Sequence, residues 1–136
     1  RRLNDSMGAY VASEVVKCMI NKNITVKGAN VLILGITFKE NCPDVRNTKV
    51  VDLVNSLKGY GINIIIYDPL ANKEEVLKEY NLKSYSEIPK EKFDSIVLAV
   101  SHNNFLKIDL DRLSKSNSVI YDIKNFFEPN KIDKSL

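Results

Sequence analysis

The stretch Val31-Leu32-Ile33-Leu34-Gly35-Ile36 is a continuous run of apolar, mostly branched side chains that is followed by a largely polar turn. Such a run is typical of a strand that is buried on both faces of a parallel sheet. Similar runs occupy residues 62–67, 95–100 and 119–122, and residues 82–85 are a candidate for a short extra strand. We therefore predict a parallel sheet with residues 31–36 as its central strand.

Helical patterns alternate with these strands. Apolar residues recur at three- and four-residue spacing over residues 3–24, which predicts a long amphipathic helix. Further helical segments are predicted over residues 47–58, 73–80 and, with a loop, 105–113. This alternation predicts right-handed crossovers between parallel strands. The predicted fold is α/β, with a Rossmann-like parallel sheet flanked by helices over residues 27–136 and a long N-terminal helix within residues 1–26.

The composition favours a soluble, folded domain. Of the 136 residues, 44% are hydrophobic, which is enough apolar material for one packed core. The net charge of +3 comes from 20 basic and 17 acidic residues scattered along the chain, without the polybasic block that binds nucleic-acid phosphates. No apolar stretch approaches the roughly 20 residues that cross a bilayer. We therefore expect no nucleic-acid partner, no membrane association and a cytoplasmic location.

The two cysteines indicate neither a disulfide nor a metal site. Cys18 and Cys42 are isolated from each other and from any metal-binding or redox spacing, so we expect reduced thiols and no metal site. The sequence begins without methionine and enters a helical pattern almost at once, which we interpret as missing upstream sequence.

Ligands of parallel α/β sheets bind beyond the carboxyl ends of the strands. That rule selects the loops at residues 37–46, 68–72, 101–104 and 123–126. A pyrophosphate ligand needs positive charge converging from several loops, and these loops offer Lys39, Arg46 and Lys124. We interpret His102 in the third loop as a loop or capping residue rather than a catalytic base.

The alternative hypothesis is that the same region binds a dinucleotide. The strand that ends at Gly35, the following helix and strand, and the acidic Asp68 imitate the arrangement that binds NAD. The residues after Gly35 supply none of the further glycines that let a backbone approach a pyrophosphate, so we expect no cofactor-binding residues in this chain. A stand-alone Rossmann-like module that binds a nucleotide or NAD, and a purely structural oligomerisation domain, remain alternatives.

The segment from Gly35 to Val50, GITFKENCPDVRNTKV, resembles the signature G-[LI]-[TA]-F-K-x-N-x-x-D-x-R-x-[ST] of the C-terminal domain of the UDP-glucose/GDP-mannose dehydrogenase family. Three further pieces occur in the family's order: Arg1-x-x-Asn4-Asp5-x-Met7, Tyr67-Asp68-Pro69 and Tyr121-Asp122-Ile123-Lys124-Asn125. The loop sequence Asn41-Cys42-Pro43-Asp44, and the lysine at position 124, are most similar to those of bacterial enzymes that oxidise UDP-N-acetylhexosamines.

The resemblance implies a role in an NAD-dependent UDP-sugar 6-dehydrogenase. Such enzymes oxidise C6 of a UDP-hexose or UDP-N-acetylhexosamine twice, giving the uronic acid for polysaccharide biosynthesis through a thiohemiacetal and a thioester on an upstream cysteine. Neither Cys18 nor Cys42 matches that cysteine, so no catalytic residue is expected in this chain. NAD would be bound mainly by the missing N-terminal domain, and the fragment would bind substrate without catalysis.

The resemblance also implies roles for individual residues. Lys39 would contact the sugar or diphosphate, Lys124 would add charge to the same site, and Arg1 matches an arginine that reaches a neighbouring subunit's substrate. Arg46 would bind an anion or form a structural salt bridge with Asp44 or Asp68. The helix within residues 1–26 would connect the domains and form a homodimer, with Met7, Val11, Val15 and Met19 as an intersubunit surface or packed against their own domain.

Overall fold

The computed structural model describes residues 3–4 and 6–136. Six strands form one sheet in the order β3-β2-β1-β4-β5-β6, and every neighbouring pair is parallel. The strands are β1 (Asn30–Leu34), β2 (Asn63–Tyr67), β3 (Ser84–Tyr85), β4 (Phe93–Leu98), β5 (Ser114–Asp122) and β6 (Lys134–Ser135). The helices are α1 (Met7–Asn21), α2 (Val50–Gly59), α3 (Lys73–Tyr80) and α4 (Leu110–Leu113), with 3₁₀ turns at Asn103–Lys107 and Pro129–Lys131. The predicted α/β fold is confirmed, with β1 at the centre of the sheet.

Both faces of the sheet are covered, which explains the unbroken apolar run in β1. Val31 and Ile33 point into a core shared with α1, α2 and α3, whereas Leu32 and Leu34 point into a second core against the 3₁₀ turn at Asn103–Lys107 and α4. All four side chains are fully buried. A strand that packs on two faces cannot alternate apolar with polar residues.

Several element boundaries differ from those predicted, and three of the differences lie next to residues with positive φ. Gly35 has φ +97°, and β1 ends before it at Leu34, two residues before the predicted end at Ile36. Asn47 has φ +58°, which is incompatible with a helix starting there. Asn23, with φ +60°, lies just beyond the end of α1. Asparagine tolerates this conformation better than most residues do.

The apolar face of α1 packs on its own domain. Val11, Val15 and Met19 are fully buried in the main core, and Met7 packs against its edge. At Gly8 an added Cβ would lie 2.8 Å from the backbone nitrogen of Leu53 in α2, so the two helices approach closely. For Val11, Val15 and Met19 the interpretation as an intersubunit surface is therefore wrong, and packing against their own domain is confirmed.

Candidate functional site

A cavity of about 480 Å³ opens beyond the carboxyl ends of β1, β4 and β5, where the topology predicts a ligand. It is lined by Leu3, Asn4, Thr37, Phe38, Lys39, Glu40, Asn47, Thr48, Lys49, Val50, Ala99, Val100 and Lys124. Residues 47–50 lead into α2, so the amino end of a ten-residue helix borders the cavity. The backbone N–H groups at such a helix end favour anions.

The structure brings Lys39 and Lys124 together on the wall of this cavity, as the sequence analysis expects. Lys39 is exposed and Lys124 is half-buried. A third lysine, Lys49, lines the same cavity and was missed by sequence reasoning, although it lies inside the segment that resembles the family signature. Glu40 is the one carboxylate among the described lining residues, so the cavity carries an excess of positive charge.

Lys124 is positioned by a buried carboxylate two residues before it. Asp122 ends β5 and is fully buried. Its Oδ1 accepts the N–H of Lys124 at 3.0 Å, and its Oδ2 accepts the N–H groups of Phe126 and Phe127, both at 2.7 Å. Asn125 completes the turn with φ +54°. One buried side chain thereby holds the loop after β5 through three backbone hydrogen bonds.

Asp68 holds the loop after β2 in the same way, by accepting backbone hydrogen bonds. Its Oδ1 accepts the N–H groups of Leu70 at 2.8 Å and Ala71 at 3.1 Å, and its Oδ2 accepts the N–H of Ile36 at 2.8 Å. Burial by itself raises the pKa of Asp68, but the hydrogen bonds from His102 and from these backbone groups outweigh burial and lower the pKa. The carboxylate that imitates a ribose-binding acid in the sequence is therefore buried and occupied by the protein's own backbone.

Arg46 does not line the cavity. Its Nε and Nη2 donate to Oδ1 and Oδ2 of Asp44, each at 3.0 Å, and it borders a separate depression with Glu79 and Tyr80. The Arg46 side chain and then its backbone N–H hold the pKa of Asp44 down at about 2. Of the alternatives for Arg46, the structure has the salt bridge with Asp44. Arg1 lies outside the described residues.

The model of the UDP-glucose/GDP-mannose dehydrogenase family, UDP binding domain, matches residues 32–129, which include the cavity loops and both buried aspartates. The chain belongs to this family. Within this dehydrogenase family, it is 44% identical over its whole length to UDP-N-acetyl-D-glucosamine 6-dehydrogenase of Pseudomonas aeruginosa and 38% identical over 99% of its length to Protein CapL of Staphylococcus aureus. It spans about a third of each of these relatives, 33% and 32%.

A solved structure shares the fold of this chain. The NDP-N-acetyl-D-galactosaminuronic acid dehydrogenase of Methanosarcina mazei Go1 superposes with a TM-score of 0.82 at 22% identity, over 93% of this chain and 27% of that one. Across the described residues, no helix is long and apolar enough to cross a membrane, and no cluster of three or more metal-binding side chains occurs. Cys18 and Cys42 are both half-buried and form no disulfide with each other.

Proposed function

We propose that this dehydrogenase-family domain binds the UDP handle of a nucleotide sugar in the cavity between β1, β4 and β5. The observation that carries the proposal is that Lys39 and Lys124, from two different loops, line one cavity. Both lysines lie inside the segment that matches a UDP binding domain. Lys49 and the amino end of α2 add to the attraction for a diphosphate. Fixed cations of this kind stabilise phosphate groups through charge-assisted hydrogen bonds.

The wider proposal concerns the complete protein. We propose that this domain is the C-terminal part of an NAD-dependent UDP-sugar 6-dehydrogenase in the cytoplasm, in which an upstream domain holds NAD and the catalytic cysteine. Binding of UDP here would place C6 of the sugar against those groups. The relative from Pseudomonas aeruginosa, named for UDP-N-acetyl-D-glucosamine, supports a UDP-N-acetylhexosamine as substrate and the uronic acid, for polysaccharide biosynthesis, as product.

We also propose that the chain forms a homodimer and that the contact surface is the exposed face of α1, opposite the core. Tyr10 and Ile20, which are 53% and 58% exposed, lie on that face. Light scattering of the chain, compared with its Ile20→Lys variant, tests the proposal. A dimer in the parent and a monomer in the variant would support it, whereas a monomer in both would contradict it for this chain.

Titration calorimetry with UDP, UDP-N-acetylglucosamine and NAD tests the function directly. We expect saturable binding of both UDP compounds and none of NAD. Lys39→Ala and Lys124→Ala should each weaken UDP binding by about 1.5–3 kcal/mol, which corresponds to about 10- to 150-fold, because each removes a charge-assisted contact. Lys78→Ala is the matched control, since Lys78 is an exposed lysine on α3 that does not line the cavity. NAD binding without UDP binding, or unchanged affinity in both cavity variants, would contradict the proposed site.

A further inference from the structure

His102 is a completely buried histidine whose two ring nitrogens both have partners in other loops. Its Nδ1 lies 2.9 Å from the backbone nitrogen of Asn41, in the loop between β1 and α2. Its Nε2 lies 3.0 Å from Oδ2 of Asp68 and 3.2 Å from Oγ1 of Thr37. The ring therefore connects the ends of β1, β2 and β4, although it is absent from the wall of the cavity.

The hydrogen bonds fix the tautomer of this ring. A backbone N–H can only donate, so Nδ1 must be the unprotonated acceptor of the N–H of Asn41. The ring hydrogen is then on Nε2, which donates to the carboxylate of Asp68. The hydroxyl of Thr37 donates to the backbone oxygen of Lys39 at 3.0 Å, which leaves its oxygen as a second acceptor facing Nε2.

These bonds hold the backbone at Lys39 and just after it. Its own carbonyl oxygen accepts the hydroxyl of Thr37, and two residues later the N–H of Asn41 is bound to His102. The Oδ1 of Asn41 also accepts the N–H of Asn103 at 2.8 Å, and Asn41 turns the chain with φ +58°. The loop that presents Lys39 to the cavity is thus attached at its tip to the loop after β4.

We propose that His102 is a positioning residue for the diphosphate of the ligand, holding the loop of residues 37–41 so that Lys39 faces the cavity. The inference rests on the proposed function, since it assumes that Lys39 binds the diphosphate. Histidine suits this position because a neutral imidazole places an acceptor and a donor on opposite sides of one rigid ring. The acceptor side orders the loop, and the donor side satisfies a buried carboxylate.

Two substitutions separate these two sides. In His102→Asn the amide oxygen can take the place of Nδ1 and accept the N–H of Asn41, whereas in His102→Gln the amide nitrogen can take the place of Nε2 and donate to Asp68. We expect His102→Asn to retain UDP affinity within about threefold and His102→Gln to lose about tenfold, because only the latter leaves the N–H of Asn41 unbound. Calorimetry measures the affinities, and urea unfolding monitors stability in parallel.

A double-mutant cycle distinguishes positioning from a general structural role. If His102 acts through Lys39, His102→Gln should have little further effect on UDP affinity in the Lys39→Ala background. Should His102→Gln fail to fold, His102→Asn decides the proposal, because a loss of affinity well above threefold in that variant overturns it. Asn41→Gly tests the other bond of the loop tip: Asn41 is exposed, glycine accepts its positive φ and keeps the N–H to His102, and the variant removes the bond to Asn103. That variant should weaken UDP binding severalfold with little loss of stability.

The binding results separate the two proposals. UDP binding by the parent chain, together with an affinity of His102→Gln equal to that of the parent, overturns the role of His102 and leaves the proposed function standing. Additive losses in the Lys39→Ala background, or a greater loss in His102→Asn than in His102→Gln, overturn it as well. If the parent chain binds no UDP, both proposals fail together, whereas ¹⁵N spectra of the ring still test whether Nδ1 is the unprotonated nitrogen.

Discussion

Replacing Gly35 by alanine should destabilise the domain through two separable effects. Gly35 has φ +97°, a conformation that costs a residue with a side chain about 1–3 kcal/mol. The added Cβ would also lie 2.6 Å from Cβ of Val100, and relieving such overpacking costs about 1–3 kcal/mol more. Alanine returns about 0.4–1 kcal/mol by restricting the unfolded chain. The expected loss in the free energy of unfolding is about 1–6 kcal/mol, whose upper half is a large part of the ordinary stability of a domain.

Two other glycines separate the terms. Gly28 has φ +84° with nothing within 4 Å of an added Cβ, so Gly28→Ala should show the backbone cost alone. Gly59 closes α2 with open space around it and without positive φ, so Gly59→Ala should be neutral or stabilise by up to about 1 kcal/mol. Urea unfolding followed by far-ultraviolet circular dichroism measures all three, since the chain has no tryptophan for fluorescence. Equal losses for Gly35→Ala and Gly28→Ala would refute the steric contact with Val100.

Two further predictions concern ionised groups. Arg46→Ala should raise the pKa of Asp44 from about 2 only part of the way to its ordinary value of about 3.9, because the backbone N–H of residue 46 remains. The variant should leave the affinity for UDP unchanged, because Arg46 does not line the cavity. NMR titration of the carboxyl group and calorimetry measure the two effects, and a large loss of affinity would place Arg46 in the site. Asp68 has a lowered pKa in the folded state, so it contributes stability that is complete above about pH 4 and is lost as the pH falls through that pKa. The parent chain should therefore lose stability on acidification faster than Asp68→Asn, and parallel losses in urea unfolding between about pH 6 and pH 3 would contradict the role of Asp68.

The sheet could be predicted because burial on two faces leaves a direct mark on the sequence. Each of the central four strands contains an apolar run that is followed by a turn, but β5 begins at Ser114 with five polar residues that the apolar pattern did not predict as strand. The edge strand β6 was missed, because two residues in a polar tail have no pattern that favours a strand. The start of α2 was predicted three residues early, since the positive φ of Asn47 is not visible in the apolar periodicity that predicts a helix.

Of the candidate site, only the part that follows from the order of strands and helices could be predicted. Lys39 and Lys124 follow strands at the same edge of the sheet, so their convergence could be expected from the order of strands and helices alone. Lys49 was overlooked because it lies at the start of a helix rather than after a strand. The roles of Asp68 and His102 were not predictable, because they depend on which backbone groups the folded loops bring within hydrogen-bond distance.

The two lysine loops are ordered by different means, and the difference has a consequence for the free protein. The loop of Lys124 is held by Asp122, whose three backbone partners all lie within five residues of it along the chain. The tip of the Lys39 loop is held by His102 and Asn103, about 60 residues away, and these bonds exist only when β1 and β4 are paired. A local turn can form wherever its own short segment is intact, whereas a distant contact requires the folded sheet. A disturbance of the pairing between β1 and β4 should therefore displace Lys39 before it displaces Lys124. Affinity for a diphosphate should then fall mainly through the loss of the Lys39 contact.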